Sequence, residues 1–241
     1  MSDVGDDGKR RWKGPKSDDS SDKTRSRSFA TKQKINKGDR KKSSRTWIER
    51  QLNDPYVRLA KEAGYRSRAA FKLIDLDERF GLFKRDARVV DLGCAPGGWT
   101  QIAIARGSEK VVGIDLLKTD VIADAHLVEG DINDPAAVAA MMSALNGAPT
   151  LVLSDMAAAT TGHKQTDHVR TVALAETAAR FAVEHLAQGG AFCSKVFQGG
   201  AQGELLQMLQ ENFKEVRHWK PPSSRSESPE IFVVAKGFGG A

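Results

Sequence analysis

One segment limits what this chain can fold into more than any other: Val89-Val90-Asp91-Leu92-Gly93-Cys94-Ala95-Pro96-Gly97-Gly98-Trp99, an apolar run that ends in an acid and breaks into a glycine-rich turn. A strand, such a turn and then helix-forming residues make the opening unit of a nucleoside-binding α/β sheet, where glycines permit a tight turn and close approach of backbone to ligand. In dinucleotide sites a pyrophosphate occupies that turn. Here Asp91 stands just ahead of it and opposes such a charge, so the segment favours a cationic ligand such as S-adenosylmethionine. The Gly-x-x-x-Gly-Gly pattern also departs from the Gly-x-Gly-x-x-Gly of nicotinamide dehydrogenases, the main competing reading.

The rest of the chain extends the same architecture. Strand-like runs over Arg88 to Asp91, Val111 to Asp115, His126 to Glu129, Leu151 to Asp155, Ala191 to Val196 and Ile231 to Ala235 alternate with helical patterns over Thr100 to Arg106, Pro135 to Leu145, Asp167 to Leu186 and Gly203 to Asn212. Such alternation predicts a doubly wound, mostly parallel sheet with helices on both faces, whose ligands bind at the carboxyl ends of the strands. Upstream, helical stretches are expected over Trp47 to Leu52 and Pro55 to Ala63, with Asp54 capping the second. A further helix is expected to be capped by Ser67 and ended by Gly81, with Ala69, Leu73, Leu76 and Phe80 on one stripe and Lys72 at its edge. Acids stand where ligands of such a sheet would sit. Asp115 closes the second strand 24 residues beyond Asp91, near the spacing at which an acid accepts ribose hydroxyls; Asp131 follows the third strand, and Asp155 ends the fourth. A lone loop acid is ordinary, but four at successive strand ends beside a glycine loop point to one site.

Charge separates the two ends of the chain. Residues 1–45 hold 15 Lys/Arg against 7 Asp, whereas the remainder carries 22 Lys/Arg against 24 Asp/Glu. That first segment has no periodic apolar residues, so a disordered, phosphate-attracting basic tail is expected over residues 1–43, with the catalytic domain over 44–241. The two cysteines, Cys94 and Cys193, offer neither a disulfide framework nor metal-type spacing, and the five histidines form no ligand pattern. No metal site, no membrane span and a cytoplasmic monomer are expected.

Lys195 is the oddity. It lies in Cys193-Ser194-Lys195-Val196-Phe197, a charge within an apolar strand, where an unpaired ammonium is costly. Desolvation and a neighbouring cation such as Lys72 favour the neutral amine and general-base work, while Asp155 and Glu230 oppose that shift but hold the amine in place. Taken alone, Lys195 reads as a strand-end lysine reaching solvent.

Ser67-Arg68-Ala69-Ala70-Phe71-Lys72-Leu73, the glycine segment Asp91 to Trp99, Ser154-Asp155-Met156-Ala157, Lys195-Val196-Phe197-Gln198-Gly199 and Ser223-Ser224-Arg225 through Glu230 together resemble the FtsJ/RrmJ (RlmE) family of ribosomal RNA 2′-O-methyltransferases over about residues 44–237. The resemblance implies a Rossmann-like, doubly wound, mostly parallel seven-stranded sheet of the S-adenosylmethionine-dependent methyltransferase type. It carries a catalytic Lys-Asp-Lys-Glu set onto Lys72, Asp155, Lys195 and Glu230, and cofactor contacts onto Gly97, Trp99, Asp115, Asp131 and Asp155, beside Asp91 and Gly93 of the loop itself. It also implies methyl transfer to the 2′-oxygen of a uridine in 23S ribosomal RNA, in the assembled large subunit. Glu227 is a neighbouring alternative to Glu230, which is preferred because it immediately precedes a strand, as the family's glutamate does. After Ala157 the chain departs from the family's Pro-Asn and reads Ala158-Ala159-Thr160-Thr161-Gly162. Arg45, Trp47, Arg50, Arg58, Lys61, Tyr65, Arg66 and Arg68, with Lys220 and Arg225 opposite, mix cations and rings in a way suited to an RNA surface. The same chemistry on transfer RNA or an RNA cap, and an RNA-binding assembly factor that uses the cofactor structurally, are the other readings.

Overall fold

In a computed structural model of the chain, residues 48–49, 51–158, 161–197 and 203–240 are described. The basic segment and the boundary expected at residue 44 lie outside them, as do Arg45, Trp47, Arg50, Ala159, Thr160 and the Gln198-Gly199 pair. Asp54–Ala241 is one compact unit; Met1–Asn53 is a separate one, helical at residues 48–49 and 51–52.

The compact unit opens with α1 (Pro55–Glu62), where Asp54 accepts from Tyr56 N at 3.0 Å and Pro55 fills the first turn, as the Asp-Pro pair predicts. Helix α2 (Ala69–Phe80) ends at Gly81, which takes the left-handed conformation with φ 60°. Its start differs from expectation. Arg68 is the N-cap residue and makes no side-chain cap, and the Ser67 hydroxyl is buried without a hydrogen-bond partner among the described residues. The α/β alternation then runs β1 (Arg88–Leu92), α3 (Gly98–Ala105), β2 (Lys110–Asp115), β3 (Ala125–Glu129), α4 (Pro135–Leu145), β4 (Leu151–Ser154), α5 (Lys164–His185), β5 (Ala191–Phe197), α6 (Glu204–Asn212), β6 (Phe213–Trp219) and β7 (Glu230–Phe238).

The strands form one seven-stranded sheet in the order β3-β2-β1-β4-β5-β7-β6. Strands β1 to β5 pair in parallel, and β7 runs antiparallel to both β5 and β6. Strand β6 has no counterpart in the sequence-based pattern. It lies at the sheet edge with Lys214, Glu215, Arg217 and His218 exposed, so it carries the charges of a protected edge rather than an apolar run.

Strand alternation sorts the side chains between two cores. Val90, Leu92, Val112, Ile114, Val152, Phe192 and Val233 face α4, α5 and α6, packing on Met141, Ala178, Ala182 and Leu209. Val89, Val111, Leu151, Leu153, Cys193, Phe232 and Val234 face α1, α2 and α3, packing on Ala60, Leu73, Leu76 and Ile102. Because successive side chains change face, Asp91, Asp155, Lys195 and Glu230 share parity with Val89, Leu153, Cys193 and Phe232. The antiparallel return of β7 sets Glu230, its first residue, opposite Phe197, the last of β5. All four polar groups therefore reach one end of the sheet, on the face that carries α2 and Lys72.

Candidate active site

The tetrad read from the sequence assembles as two buried ion pairs. Lys195 Nζ donates to the Asp155 carbonyl oxygen at 2.8 Å and lies 3.1 Å from Asp155 Oδ1. Lys72 Nζ donates to Glu230 Oε2 at 2.8 Å and sits 5.8 Å from the centre of the Phe232 ring. Lys195, 8% exposed, is thus held by a carboxylate inside the domain and does not reach freely into solvent. The pairs are electrostatically linked. Burial works against the Lys72 ammonium, but Asp155 and Glu230 outweigh it and hold its pKa above the ordinary lysine value. Burial likewise pushes Asp155 up, yet Lys195 and Lys72 more than offset that and keep its carboxyl below the usual range. Asp155 is therefore a carboxylate and Lys72 a cation at neutral pH. Ser224 Oγ donates to Glu230 Oε1 at 2.9 Å, whereas the Glu227 side chain accepts from the Ser226 hydroxyl.

The glycine loop is shaped by positive φ and by two acids. Gly93 (φ 78°) returns the chain beneath Met156, and a Cβ there would lie 2.8 Å from the Met156 side chain. Gly97 (φ 111°) begins α3, and a Cβ there would come within 2.5 Å of Ile122 Cδ1 and 3.2 Å of the Arg66 guanidinium. Gly97→Ala is accordingly expected to cost roughly 1–3 kcal/mol of stability and to weaken cofactor binding. Thermal melts with cofactor titration check this; a melting point within about 1 °C of the parent and unchanged affinity would sink it.

Asp115 closes β2 with both oxygens in use: Oδ2 accepts from Ala95 N at 2.9 Å and Oδ1 from Leu117 N at 2.8 Å. Asp131 accepts from the backbone and side-chain nitrogens of Asn133, both at 2.9 Å, and is exposed. Trp99 is buried, its indole N–H donating to Ala69 O at 2.8 Å, so only its backbone in the first turn of α3 is free to meet a ligand. Asp91 is fully buried. Thr100 Oγ1 donates to its Oδ2 at 2.7 Å, while Oδ1 has no hydrogen-bond partner among the described residues. An orphaned carboxylate oxygen behind a glycine turn fits a cationic ligand and does not fit a phosphate.

Several residues matter in ways the sequence did not signal. Arg66 donates to the carbonyls of Pro96 at 3.2 Å, Asp120 at 2.7 Å and Val121 at 2.8 Å, clamping the glycine loop to the segment after β2. Arg68 and Arg225 both pair with Asp54, and Lys220 donates to the carbonyls of Ser226 and Ser228. These four cations, expected on the RNA surface, hold the protein's own loops. Tyr65 packs edge-on against Phe71 at 5.7 Å. Among the residues named for that surface, Lys61 and Arg58 stand outward on α1, with Arg58 3.6 Å from Glu62. Both cysteines are free and buried, and burial pushes the Cys94 thiol up to about 12 and Cys193 higher still. Among the described residues no helix is long and apolar enough to cross a membrane, and no group of three or more His, Cys, Asp or Glu is placed to hold a metal ion.

Comparison with known proteins follows the same outline. The model of the FtsJ-like methyltransferase family matches residues 65–238. A ribosomal RNA large subunit methyltransferase E from Hyphomonas neptunium is 56% identical over 98% of this chain and 99% of its own length. The enzyme of that name from Maricaulis maris is 59% identical over 83% of this chain and 72% of its own. A crystal structure described as a ribosomal RNA methyltransferase from Plasmodium falciparum superposes with a TM-score of 0.64, at 29% identity over 72% of this chain and 98% of that one.

Proposed function

Since the chain belongs to the FtsJ-like methyltransferase family, we propose that it transfers a methyl group from S-adenosylmethionine to the 2′-oxygen of a uridine in large-subunit (23S) ribosomal RNA, within the assembled 50S subunit. The observation that carries this reading is the pairing of Lys195 with Asp155 and of Lys72 with Glu230 at the strand ends beside the glycine loop.

Bound S-adenosylmethionine supplies an electrophilic methyl carbon on a sulfonium. What remains for the protein is to align a ribose hydroxyl and remove one proton as the oxygen–carbon bond forms and the carbon–sulfur bond breaks. Lys195, its amine aimed by the carbonyl and carboxylate of Asp155, is suited to receive that proton once its own has been released to solvent, so that proton capture restores the Lys195–Asp155 ion pair. Asp155 stays ionised and so keeps Lys195 in place through the reaction. Lys72, held charged by Asp155 and Glu230, stabilises negative charge that develops on the acceptor oxygen. For the cofactor, Asp91 Oδ1 suits the amino-acid ammonium, the first backbone N–H groups of α3 at Gly97 and Trp99 suit the carboxylate, Asp115 the ribose hydroxyls and Asp131 the adenine amine. Leu116 and Leu117, 70% and 68% exposed beside Asp115, leave an apolar surface that a purine would cover. This substrate places the protein with ribosomes in the cytoplasm.

The test is transfer of labelled methyl to undermethylated large subunits, free ribosomal RNA and transfer RNA, with the product nucleotide mapped. Label on one uridine 2′-oxygen of the large subunit is the expected result. Label confined to transfer RNA overturns the substrate, and cofactor binding without transfer to any RNA overturns the chemistry.

A further inference from the structure

We infer that Asp54, outside the tetrad, is a positioning residue that fixes Glu230 and, through it, Lys72; the inference rests on the methyltransferase reading above. Asp54 is 8% exposed, deeper than the capping of α1 requires. Its Oδ1 makes that cap, while its Oδ2 receives the Arg68 Nη1 and the Arg225 Nε, the latter at 2.9 Å, with Arg225 Nη2 at 2.8 Å. Two guanidiniums converge on one carboxylate. Without it they would face each other across a mostly buried gap, so the charge of Asp54 is what allows both to be there.

Each arginine carries that constraint onward. Arg68, at the N-cap of α2, also donates from Nη2 to the carbonyl of Ser223, and Ser223 N donates to Asp75 Oδ2 of the same helix at 3.0 Å. Arg225 is fixed two residues further along the connection between β6 and β7. That connection is therefore pinned to Arg68 and Asp75, which stand on either side of Lys72 about two helical turns apart. Ser224, between the two pinned residues, donates its hydroxyl to Glu230 Oε1 at 2.9 Å, which turns Oε2 toward Lys72. Every link is a directional hydrogen bond or ion pair between named atoms, and Ser223 and Ser224 are buried. Asp54 makes no hydrogen bond or ion pair with the four tetrad side chains among the described residues; it acts on them through the orientation of Glu230 and by offsetting the charge of Arg68, which bears on Glu230 and Lys72.

The experiment compares Asp54→Asn, Ser224→Ala, Glu230→Gln and the Asp54→Asn/Glu230→Gln double variant in the full chain. It reads kcat and KM for undermethylated large subunits and calorimetric affinity for S-adenosylmethionine. Asp54→Asn and Ser224→Ala are each expected to lower kcat roughly tenfold to a hundredfold with cofactor affinity within about twofold, since a misplaced group near the chemistry costs rate rather than binding. In the Glu230→Gln background, Asp54→Asn is expected to cost less than about threefold more. A multiplicative double variant, a loss of cofactor affinity that tracks kcat, or an unchanged kcat overturns the inference. If Asp54→Asn does not fold, Arg225→Lys, which keeps the charge but loses the two-nitrogen contact with Asp54, stands in for it: a kcat loss that vanishes in the Glu230→Gln background supports the path and a full rate overturns it. A parent protein that methylates no RNA overturns the methyltransferase reading itself, whereas an active parent with a full-rate Ser224→Ala variant overturns only the positioning path.

Discussion

Replacing Lys195 with methionine is expected to lower kcat for methyl transfer by roughly 10²–10⁴-fold while leaving affinity for S-adenosylmethionine within about twofold. The stem of methionine fills the space of the lysine stem, so packing on the face shared with Cys193 is kept and only the amine is lost. Two consequences must be separated. The first is chemical: the proton acceptor is gone, and neither Asp155, held ionised and low in pKa, nor the cationic Lys72 can replace it. The second is structural: Asp155 loses its nearest cation, and breaking a buried pair by removing one partner costs roughly 3–5 kcal/mol. Lys72 also acts on Asp155, so the loss should fall at the lower end of that range. The Lys195→Met/Asp155→Asn double variant distinguishes the two. Removing both charges is expected to restore most of the melting temperature without restoring transfer. Recovery of transfer in the double variant, or a single variant within about tenfold of the parent, would show that Lys195 only balances the charge of Asp155.

Much of this site was legible in the sequence because strand parity is legible. The runs ending at Asp91 and Asp155, and the lysine two residues beyond Cys193, fix which face those groups occupy once the strands are recognised. The stripe places Lys72 only at the edge of α2; its membership of the tetrad, like that of Lys195 and Glu230, comes from the family resemblance. Partners set by long-range geometry were not legible. That Arg66 clamps the glycine loop depends on carbonyls 30 and 54–55 residues away, and that Arg68 meets Ser223 on a contact across 155 residues. A run of arginines looks the same in sequence whether its charges face RNA or the protein's own carbonyls. Strand β6 is not legible for a different reason: an edge strand buries little, so its polarity resembles that of a loop. Ser67 carried a capping signal, but α2 begins with its N-cap at Arg68, whose guanidinium is drawn into the Asp54 cluster.

Asp91 sets function against stability, and replacing it with asparagine is expected to make the protein more stable and less able to bind its cofactor. Burial raises the Asp91 carboxyl from 3.8 to about 7; the Thr100 hydroxyl pulls it down, and the charges of Asp155 and Asp115 push it up further. The folded state then holds this proton more tightly than the unfolded state. Between about pH 4 and 7 the native protein binds more protons, so the stability present at low pH is lost as pH rises through the folded value, and above it the penalty is constant. At pH 8 the carboxylate is buried with Oδ1 unpartnered. An asparagine amide carries no such charge, so Asp91→Asn without cofactor is expected to gain roughly 2–4 kcal/mol at pH 8, or about 5–10 °C in melting temperature. At pH 5 that advantage should shrink to about a third of its pH 8 value, and it should vanish only below about pH 4, where the unfolded chain is protonated as well. Cofactor binding should move the other way. If Oδ1 is kept vacant to meet the ligand's ammonium, Asp91→Asn loses about 10–100-fold in affinity at pH 8, and the parent loses up to about tenfold per pH unit below about pH 7. Melting curves and S-adenosylmethionine titrations at pH 5 and pH 8 measure both. Equal affinity of the two proteins at pH 8 would leave Asp91 a structural acid bonded to Thr100 and shift cofactor recognition to the glycine loop and Asp115, whereas a more stable protein that no longer binds would identify the strain at Asp91 as the cost of cofactor recognition.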